Sequence, residues 1–105
     1  MEKLQTLCNI YKNRKIYNSD DSELISFDDR WFDDYLVSLS LIKIDNNYNI
    51  YLYIEKDKKI ILKALLESSD KFIKKSYDDI RGNLQVLDFN SFIDRYYNIL
   101  LKSFS

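Results

Sequence analysis

The sequence contains no histidine and no proline, and it has a single glycine and a single cysteine. Without histidine it lacks the side chain whose ordinary pKa suits proton transfer near neutral pH, which is also the commonest metal ligand. One glycine cannot build a glycine-rich phosphate loop or a Gly-x-Ser-x-Gly nucleophile elbow. We therefore predict that the chain is not an enzyme, that it holds no cofactor and that it has no metal site.

The one cysteine, Cys8, has no partner for an intramolecular disulfide and no neighbouring ligand at metal-site spacing. It lies on the apolar side of a predicted first helix, which favours a packed thiol over a nucleophile. Long apolar runs are also missing. No stretch approaches the ~20 residues that span a bilayer, and the residues after Met1 do not form a signal peptide. We expect a cytoplasmic protein without a membrane segment.

The residues that are present suffice for one domain, because 105 residues with 46% hydrophobic content are typical of a chain that folds around one core. We expect this domain to span residues 1–105. Apolar residues recur at helical spacing within residues 2–17, which predicts a first helix. Residues 35–44 and 49–55 alternate apolar and polar side chains on either side of a turn, and this pattern predicts a β-hairpin.

The second half of the chain is predicted to add a strand and two helices. Residues 59–66 mix β-branched and helix-favouring residues, and we favour a third strand there. The helix that follows should end at Gly82 in a left-handed C-terminal cap. Residues 84–87 should form a short strand, and Asn90 should cap the last helix. The sum is an α+β fold, an antiparallel β-meander of three or four strands packed against N-terminal and C-terminal helices.

Charge is distributed unevenly along a chain whose net charge is only −1. Residues 20–34 hold seven acids and one base, whereas residues 56–75 hold seven lysines and three acids. The acids of the first segment, which surround Trp31, Phe32 and Tyr35, are Asp20, Asp21, Glu23, Asp28, Asp29, Asp33 and Asp34. Such a segment suits a basic protein partner, because charge steers the encounter and desolvated rings supply affinity.

These rings and acids also have a purely structural interpretation. Trp31 and Tyr35 are four residues apart, so a helix could bury both, and the sequence leaves open whether Trp31 is core or interface. A run of carboxylates is often only a solvated face. Tyr51 and Tyr53 should face away from the core, toward solvent or an interface. The predicted partner-binding residues are Asp20, Asp21, Glu23, Asp28, Asp29, Trp31, Asp33, Asp34, Tyr51 and Tyr53.

The lysine-rich segment offers an alternative, an RNA-binding module that uses a Lys56 to Lys75 face. The predicted order of helix, three strands and helix resembles the double-stranded RNA-binding domain. A pI near 5.4 opposes this role, because phosphate binding needs a basic surface to displace counterions. A nuclease pattern is only loosely echoed by Asp45 and Asp57, which are predicted in turns at opposite ends of one strand.

Recognition of another protein remains, and the chain resembles the small cytoplasmic immunity proteins that accompany bacterial toxins, including those of contact-dependent inhibition systems. The resemblance rests on size, on a composition rich in residues with AT-rich codons, on the α+β prediction and on the segment Asp20 to Tyr35. It implies a one-to-one partner, usually a nuclease toxin domain whose basic cleft is blocked. A phage or plasmid inhibitor of a host defence nuclease stays open, as does the oligomeric state.

Overall fold

The computed structural model describes residues 2–14, 22–66 and 71–104, which form three helices and four strands. The helices are α1 (Glu2–Asn13), α2 (Ile73–Val86) and α3 (Phe89–Lys102). The strands are β1 (Ser22–Phe32), β2 (Tyr35–Ile44), β3 (Asn47–Lys56) and β4 (Lys59–Leu66). They lie in the order β1-β2-β3-β4, each antiparallel to its neighbour. The predicted α+β meander is confirmed, as is the strand at residues 59–66.

Turns of two residues join the strands, at positions 33–34, 45–46 and 57–58. Each begins with an aspartate of positive φ, 52° at Asp33, 54° at Asp45 and 52° at Asp57. Aspartate reaches this left-handed conformation more readily than most residues, because its short polar side chain can hydrogen-bond locally. Tight hairpin turns need such a residue, since their twist then matches that of the strands. The three aspartates therefore fix where the meander reverses.

The helices pack on one face of the sheet, in a single hydrophobic cluster. That face is lined on β2 and β3 by the paired residues Val37 and Ile54, Leu39 and Leu52, and Leu41 and Ile50. The helices contribute Leu7, Leu84 and Phe92, all fully buried. Removal of this apolar surface from water is the main force that holds the layers together. None of the helices in the described stretches is long and apolar enough to cross a membrane.

The helical half of the chain departs from the sequence prediction at three points. Gly82 lies inside α2 and its φ is not positive, so it is not a C-terminal cap. Residues 84–87 complete that helix and its cap instead of forming a strand. Asp88, rather than Asn90, caps α3, and its carboxylate accepts a hydrogen bond from the backbone N–H of Ser91 at 2.8 Å.

Burial explains why α2 continues past its glycine. Tyr77, Ile80 and Leu84 recur at helical spacing, and all three are buried. A glycine within a helix costs only about 1 kcal/mol, whereas burial of a leucine side chain is worth about 1.5–3 kcal/mol. The first helix shows the opposite deviation, because α1 ends at Asn13. The last part of its predicted range, residues 15–17, lies outside the described residues.

Candidate protein-binding surface

The acidic segment forms an edge strand of the sheet. Its residues 22–32 are β1, which pairs with β2 and with no other strand in the described parts of the chain. Asp20 and Asp21 lie outside the described residues. Trp31 belongs to this strand, so its spacing from Tyr35 does not make a helical pair.

Side chains of β1 alternate between the helix-covered face of the sheet and the opposite face, which we call the outer face. Asp28 and Arg30 pair with core residues of β2 and lie on the helix-covered face, where both are half-buried. Phe27 and Trp31 lie on the outer face and are 62% and 64% exposed. The interpretation of Trp31 as a core residue is therefore wrong, because the helices pack against the other side.

A β-bulge near the start of β1 adds further apolar surface at the same edge. Leu24 pairs with Ile42 and Ser26 pairs with Leu41, which leaves Ile25 as the extra residue. Leu24 and Ile25 are both exposed. This end of β1 therefore continues the row of exposed apolar side chains that begins with Trp31.

The tyrosines of β3 lie on the outer face, separated from the rings of β1 by two serines of β2. Ser40 pairs with Phe27 on one side and with Tyr51 on the other. Ser38 and Ser40 are buried, because larger side chains on the flanking strands close over them. The Tyr51 and Tyr53 rings lie 5.8 Å apart, but only Tyr53 is half-exposed. Both tyrosines face away from the helix-covered side, but Tyr51 is only 8% exposed, so the expectation that its ring is available to solvent or an interface is wrong.

Asp29 is the one acid of β1 that shares the outer face with the exposed rings of that strand. It lies between Phe27 and Trp31 along the strand and is itself exposed. Its Oδ1 accepts a hydrogen bond of 2.6 Å from Ser38 Oγ. The carboxylate is thereby held in one orientation beside two rings, as a contact for a cationic group requires.

The other acids of the segment point in different directions. Asp33 and Asp34 are exposed in the turn after β1, and Asp34 Oδ2 lies 3.9 Å from Lys56 Nζ in an exposed pair that contributes little to stability. Glu23 is exposed near the start of the strand, and Asp28 lies on the helix-covered face. The predicted acids that the structure describes therefore form no continuous face, and Asp29 with the turn is the part that adjoins the rings.

Arg30, the only base of the segment, has a structural role. Its Nη1 donates hydrogen bonds of 2.7 Å to the carbonyl oxygens of Leu84 and Leu87, and its guanidinium lies 4.3 Å from the ring centroid of Phe32. These carbonyls end α2, where the helix dipole favours a cation. Arg30 thus ties β1 to α2 and keeps its charge off the outer face. The sequence analysis did not predict this role. The only signal for it was that Arg30 and Phe32, two residues apart, lie on the same face of a strand.

An aromatic cluster supports the turn end of β1. The rings of Phe32 and Tyr35 contact that of Phe89, with centroids 5.1 and 4.7 Å away. Lys56 Nζ lies over the Tyr35 ring and 3.5 Å from its hydroxyl. The hydrogen bond to Tyr35, followed by the charges of Tyr35 and Asp34, raises the pKa of Lys56 above its usual value. Lys56 is therefore charged at neutral pH beside the carboxylates of the turn.

The lysines of residues 56–75 do not form one face. Those before and at the start of β4 are Lys56, Lys58 and Lys59, and those that follow its end are Lys71, Lys74 and Lys75. The eight residues of β4 extend over roughly 25 Å between the two groups. Because α2 ends beside Arg30, near the turn at 33–34, its lysine-bearing start lies toward the opposite end of the sheet. Lys63 stands between them, paired with Tyr53 on the outer face.

Cys8, Asp45 and Asp57 belong to no cluster of potential metal ligands among the described residues. Burial raises the pKa of the Cys8 thiol, an effect only partly opposed by the nearby charge of Lys12. Asp45 and Asp57 occupy turns at opposite ends of β3, as predicted. Within residues 2–14, 22–66 and 71–104, no three acidic or cysteine side chains come together as metal ligands.

The chain matches no protein-family model, no curated protein and no solved structure. Evidence for its function therefore comes from its own exposed side chains. These are the apolar and acidic side chains along β1 and the turn that follows it. We call them the β1 surface, which consists of Leu24, Ile25, Phe27, Asp29, Trp31, Asp33 and Asp34.

Proposed function

We propose that the chain is a cytoplasmic immunity-type inhibitor that binds a basic protein partner, a toxin with nuclease activity, and neutralises it by occupying its cationic cleft. The observation that carries this proposal is the arrangement on β1, where Phe27 and Trp31 are exposed with Asp29 between them. Rings and a carboxylate on one face suit a partner that combines apolar and cationic groups. The role is stoichiometric binding, without catalysis by this chain.

The apolar part of the β1 surface supports a protein partner rather than a small ligand. Leu24, Ile25, Phe27 and Trp31 are all exposed on one strand, whereas exposed apolar side chains of monomeric proteins are usually scattered. Burial of each such side chain is worth about 1.5–3 kcal/mol. Tryptophan is also the residue type most enriched among those that dominate binding energy at interfaces. Trp31 is therefore the expected anchor.

The charged part of the β1 surface supports a basic partner. Asp29, Asp33 and Asp34 are exposed, and the neighbouring charge of Arg30 is engaged by the carbonyl oxygens at the end of α2. Carboxylates at the edge of an interface increase the association rate with a cationic surface, and salt reduces this effect. The cleft with which a nuclease binds phosphates is such a surface.

The sequence is compatible with two other roles. A phage or plasmid inhibitor of a host defence nuclease would use the same β1 surface, and gene neighbourhood separates the two origins. An adjacent large toxin gene favours immunity, whereas a phage early operon favours the anti-defence role. The RNA-binding role has less support, because its lysines lie at two ends of the sheet.

The test is capture of the tagged chain from its native cell, followed by mass spectrometry of what is bound. A charge variant, Asp29→Asn with Asp34→Asn, removes two carboxylates from the β1 surface and keeps the shape of both side chains. The matched control, Asp78→Asn with Asp79→Asn, removes the same charge from exposed positions on α2. Both variants keep Asp33, the residue whose positive φ the turn requires.

We expect one basic protein at one-to-one stoichiometry, retained by the wild type and by the control and weakened in the β1 charge variant. The weakening should be larger at low ionic strength, because screening reduces the contribution of exposed charges. Recovery of RNA without a protein partner, unchanged in the β1 variant, contradicts the proposal.

A further inference from the structure

The register of the first hairpin determines which backbone groups of β1 are already bonded to β2. Phe32 and Tyr35 flank the turn of two residues, and in such turns the flanking pair exchanges N–H···O bonds. Along antiparallel strands, hydrogen-bonded pairs alternate with pairs that are not bonded to each other. The N–H and C=O groups of Arg30 and Asp28, two and four residues before Phe32, therefore also point to β2.

The intervening residues present their backbone to the outside. The N–H and C=O groups of Phe27, Asp29 and Trp31 point away from β2, and no other strand in the described stretches lies beside them. These residues also carry the side chains that lie on the outer face. One strip of β1 thus combines backbone donors and acceptors that pair with no described strand, two rings and a carboxylate.

Within residues 26–32 this edge has no proline, no lysine and no bulge, three of the features with which monomeric proteins protect an edge strand, although Asp28 and Arg30 are charged residues that point inward. Edge strands of monomeric proteins often contain a proline, a lysine or a bulge, and each of these opposes pairing with another chain. The chain has no proline, no lysine occurs within residues 26–32, and the bulge of β1 lies before Ser26. The one base in this stretch, Arg30, is bound to the end of α2. A regular stretch of edge is therefore open to pairing.

We propose that an extended segment of the basic partner joins the sheet as a fifth strand along residues 26–32. This inference rests on the proposed function, because it specifies how the same partner is held. Charge selects the segment, since a lysine or arginine opposite Asp29 pairs with its carboxylate across the strands. Residues two positions to either side lie on the same face and contact Phe27 and Trp31, so they are apolar.

A second copy of the chain is a less favourable occupant of this edge. Two β1 strands paired antiparallel about Asp29 would bring the Asp29 carboxylates of the two copies together. Like charges across strands are destabilising. Arg30 cannot neutralise them while it binds the carbonyl oxygens of α2.

The experiment uses the full chain and a short synthetic peptide with both ends capped. The peptide has a central lysine, valines two positions to either side and threonines between them. One control peptide has the same sequence but is N-methylated on the amides of one edge, and a second has glutamate in place of lysine. Binding is followed by NMR of the ¹⁵N-labelled chain and by the fluorescence of Trp31, its only tryptophan.

We expect the peptide to slow hydrogen exchange at the amides of Phe27, Asp29 and Trp31 and to shift Trp31 emission to shorter wavelength. N-methylation should weaken binding at least about tenfold, because it removes several backbone hydrogen bonds. The glutamate peptide should also bind more weakly. Equal binding of the methylated peptide, no binding at millimolar peptide, or dimerisation of the chain through β1 overturns the proposal.

Two variants of the chain then separate this inference from the proposed function. Asp29→Pro removes an outward N–H without breaking a bond to β2, and proline is tolerated on edge strands. Asp29→Asn is its control, since it changes the side chain alone. The captured partner should bind Asp29→Pro at least about tenfold more weakly than Asp29→Asn, because an added strand depends on these backbone bonds.

Equal binding of the partner to Asp29→Pro and Asp29→Asn overturns the fifth strand. If the β1 charge variant loses the partner in the same experiment, the proposed function stands without it. Thermal unfolding checks that Asp29→Pro folds. If it does not, the comparison of the methylated and unmethylated peptides on the wild-type chain decides.

Discussion

Replacement of Arg30 tests how β1 is held against the helices. Arg30→Met keeps most of the aliphatic length and removes the guanidinium. The hydrogen bonds to the carbonyl oxygens of Leu84 and Leu87 are lost, together with the contact on the Phe32 ring. The two carbonyl oxygens at the end of α2 then lose this hydrogen-bond donor in a partly buried site.

The size of the effect follows from these contacts. A hydrogen bond that involves a charged group contributes about 1.5–3 kcal/mol, and an exposed cation–π contact about 0.5–1 kcal/mol. The two hydrogen bonds come from one nitrogen, Nη1, so their contributions do not simply add. We expect Arg30→Met to lower the free energy of unfolding by about 2–4 kcal/mol. For a domain of this size, that corresponds to a fall in Tm of roughly 10–25 °C.

Urea unfolding followed by circular dichroism measures this change. The control is Arg81→Met on α2, which removes the same group from an exposed ion pair with Asp78 at 3.7 Å. Its cost should stay within about 0.5 kcal/mol. A loss at Arg30 no greater than the loss at Arg81 would refute the role of Arg30 as the tie between β1 and α2.

Four further substitutions test local features of the helices. Gly82→Ala should raise the free energy of unfolding by about 0.5–1 kcal/mol in urea, because Gly82 is helical and an added Cβ meets nothing within 4 Å. A loss would show that the position needs a left-handed conformation. Tyr77→Phe should not destabilise the protein, since the buried hydroxyl has no hydrogen-bond partner among the described residues. Tyr96→Phe should cost about 0.5–1.5 kcal/mol, because its hydroxyl accepts a bond of 2.6 Å from Asn83, and equal values for the two tyrosines would contradict this difference. Asp88→Ala should destabilise at neutral pH, because the backbone N–H that Asp88 caps lowers the pKa of its carboxyl in the folded state. The difference from wild type should be complete above the unfolded pKa of about 3.9 and vanish as pH falls through the lower folded pKa, whereas a pH-independent difference in unfolding curves would contradict it.

Three of the four strands of the meander were predictable because their signals are local. Residues 35–44 and 49–55 alternate between apolar and polar side chains, and aspartates begin the turns between strands. The same local reasoning failed at Gly82, which seemed suited to a helix cap. There the burial of Leu84 outweighs the helix propensity of one glycine, and that burial depends on the sheet beneath.

The edge strand β1 was harder to predict, because its polar and apolar residues lie on the opposite faces from those of an ordinary half-buried strand. Asp28 and Arg30 lie on the helix-covered face, whereas Phe27 and Trp31 lie on the outer face. A polar side chain can occupy the inner face here because Arg30 reaches the carbonyl oxygens at the end of α2. No sequence pattern predicts the contact of Arg30 with Leu84 and Leu87, which lie far from it along the chain.

For the candidate site, too, local sequence suggested which residues take part, whereas the face on which each residue lies depends on the tertiary structure. The sequence prediction included Asp29, Trp31 and the acids of the turn, but it could not divide the acids between the two faces of β1, because residues 22–32 were not predicted as a strand. Burial of Tyr51 depends on the small Ser40 beside it and on the neighbouring side chains of the outer face. Such neighbours become known only with the register of the sheet.

The most direct test of the proposed partner site is hydrogen exchange of the chain, measured by mass spectrometry alone and in complex with the captured partner. Binding at the β1 surface predicts slower exchange within residues 26–32, and little change in the exposed first turn of α2 around Lys74 and Lys75. Slowing confined to the start of α2, with the exchange of β1 unchanged, would contradict the assignment and direct attention to the lysines.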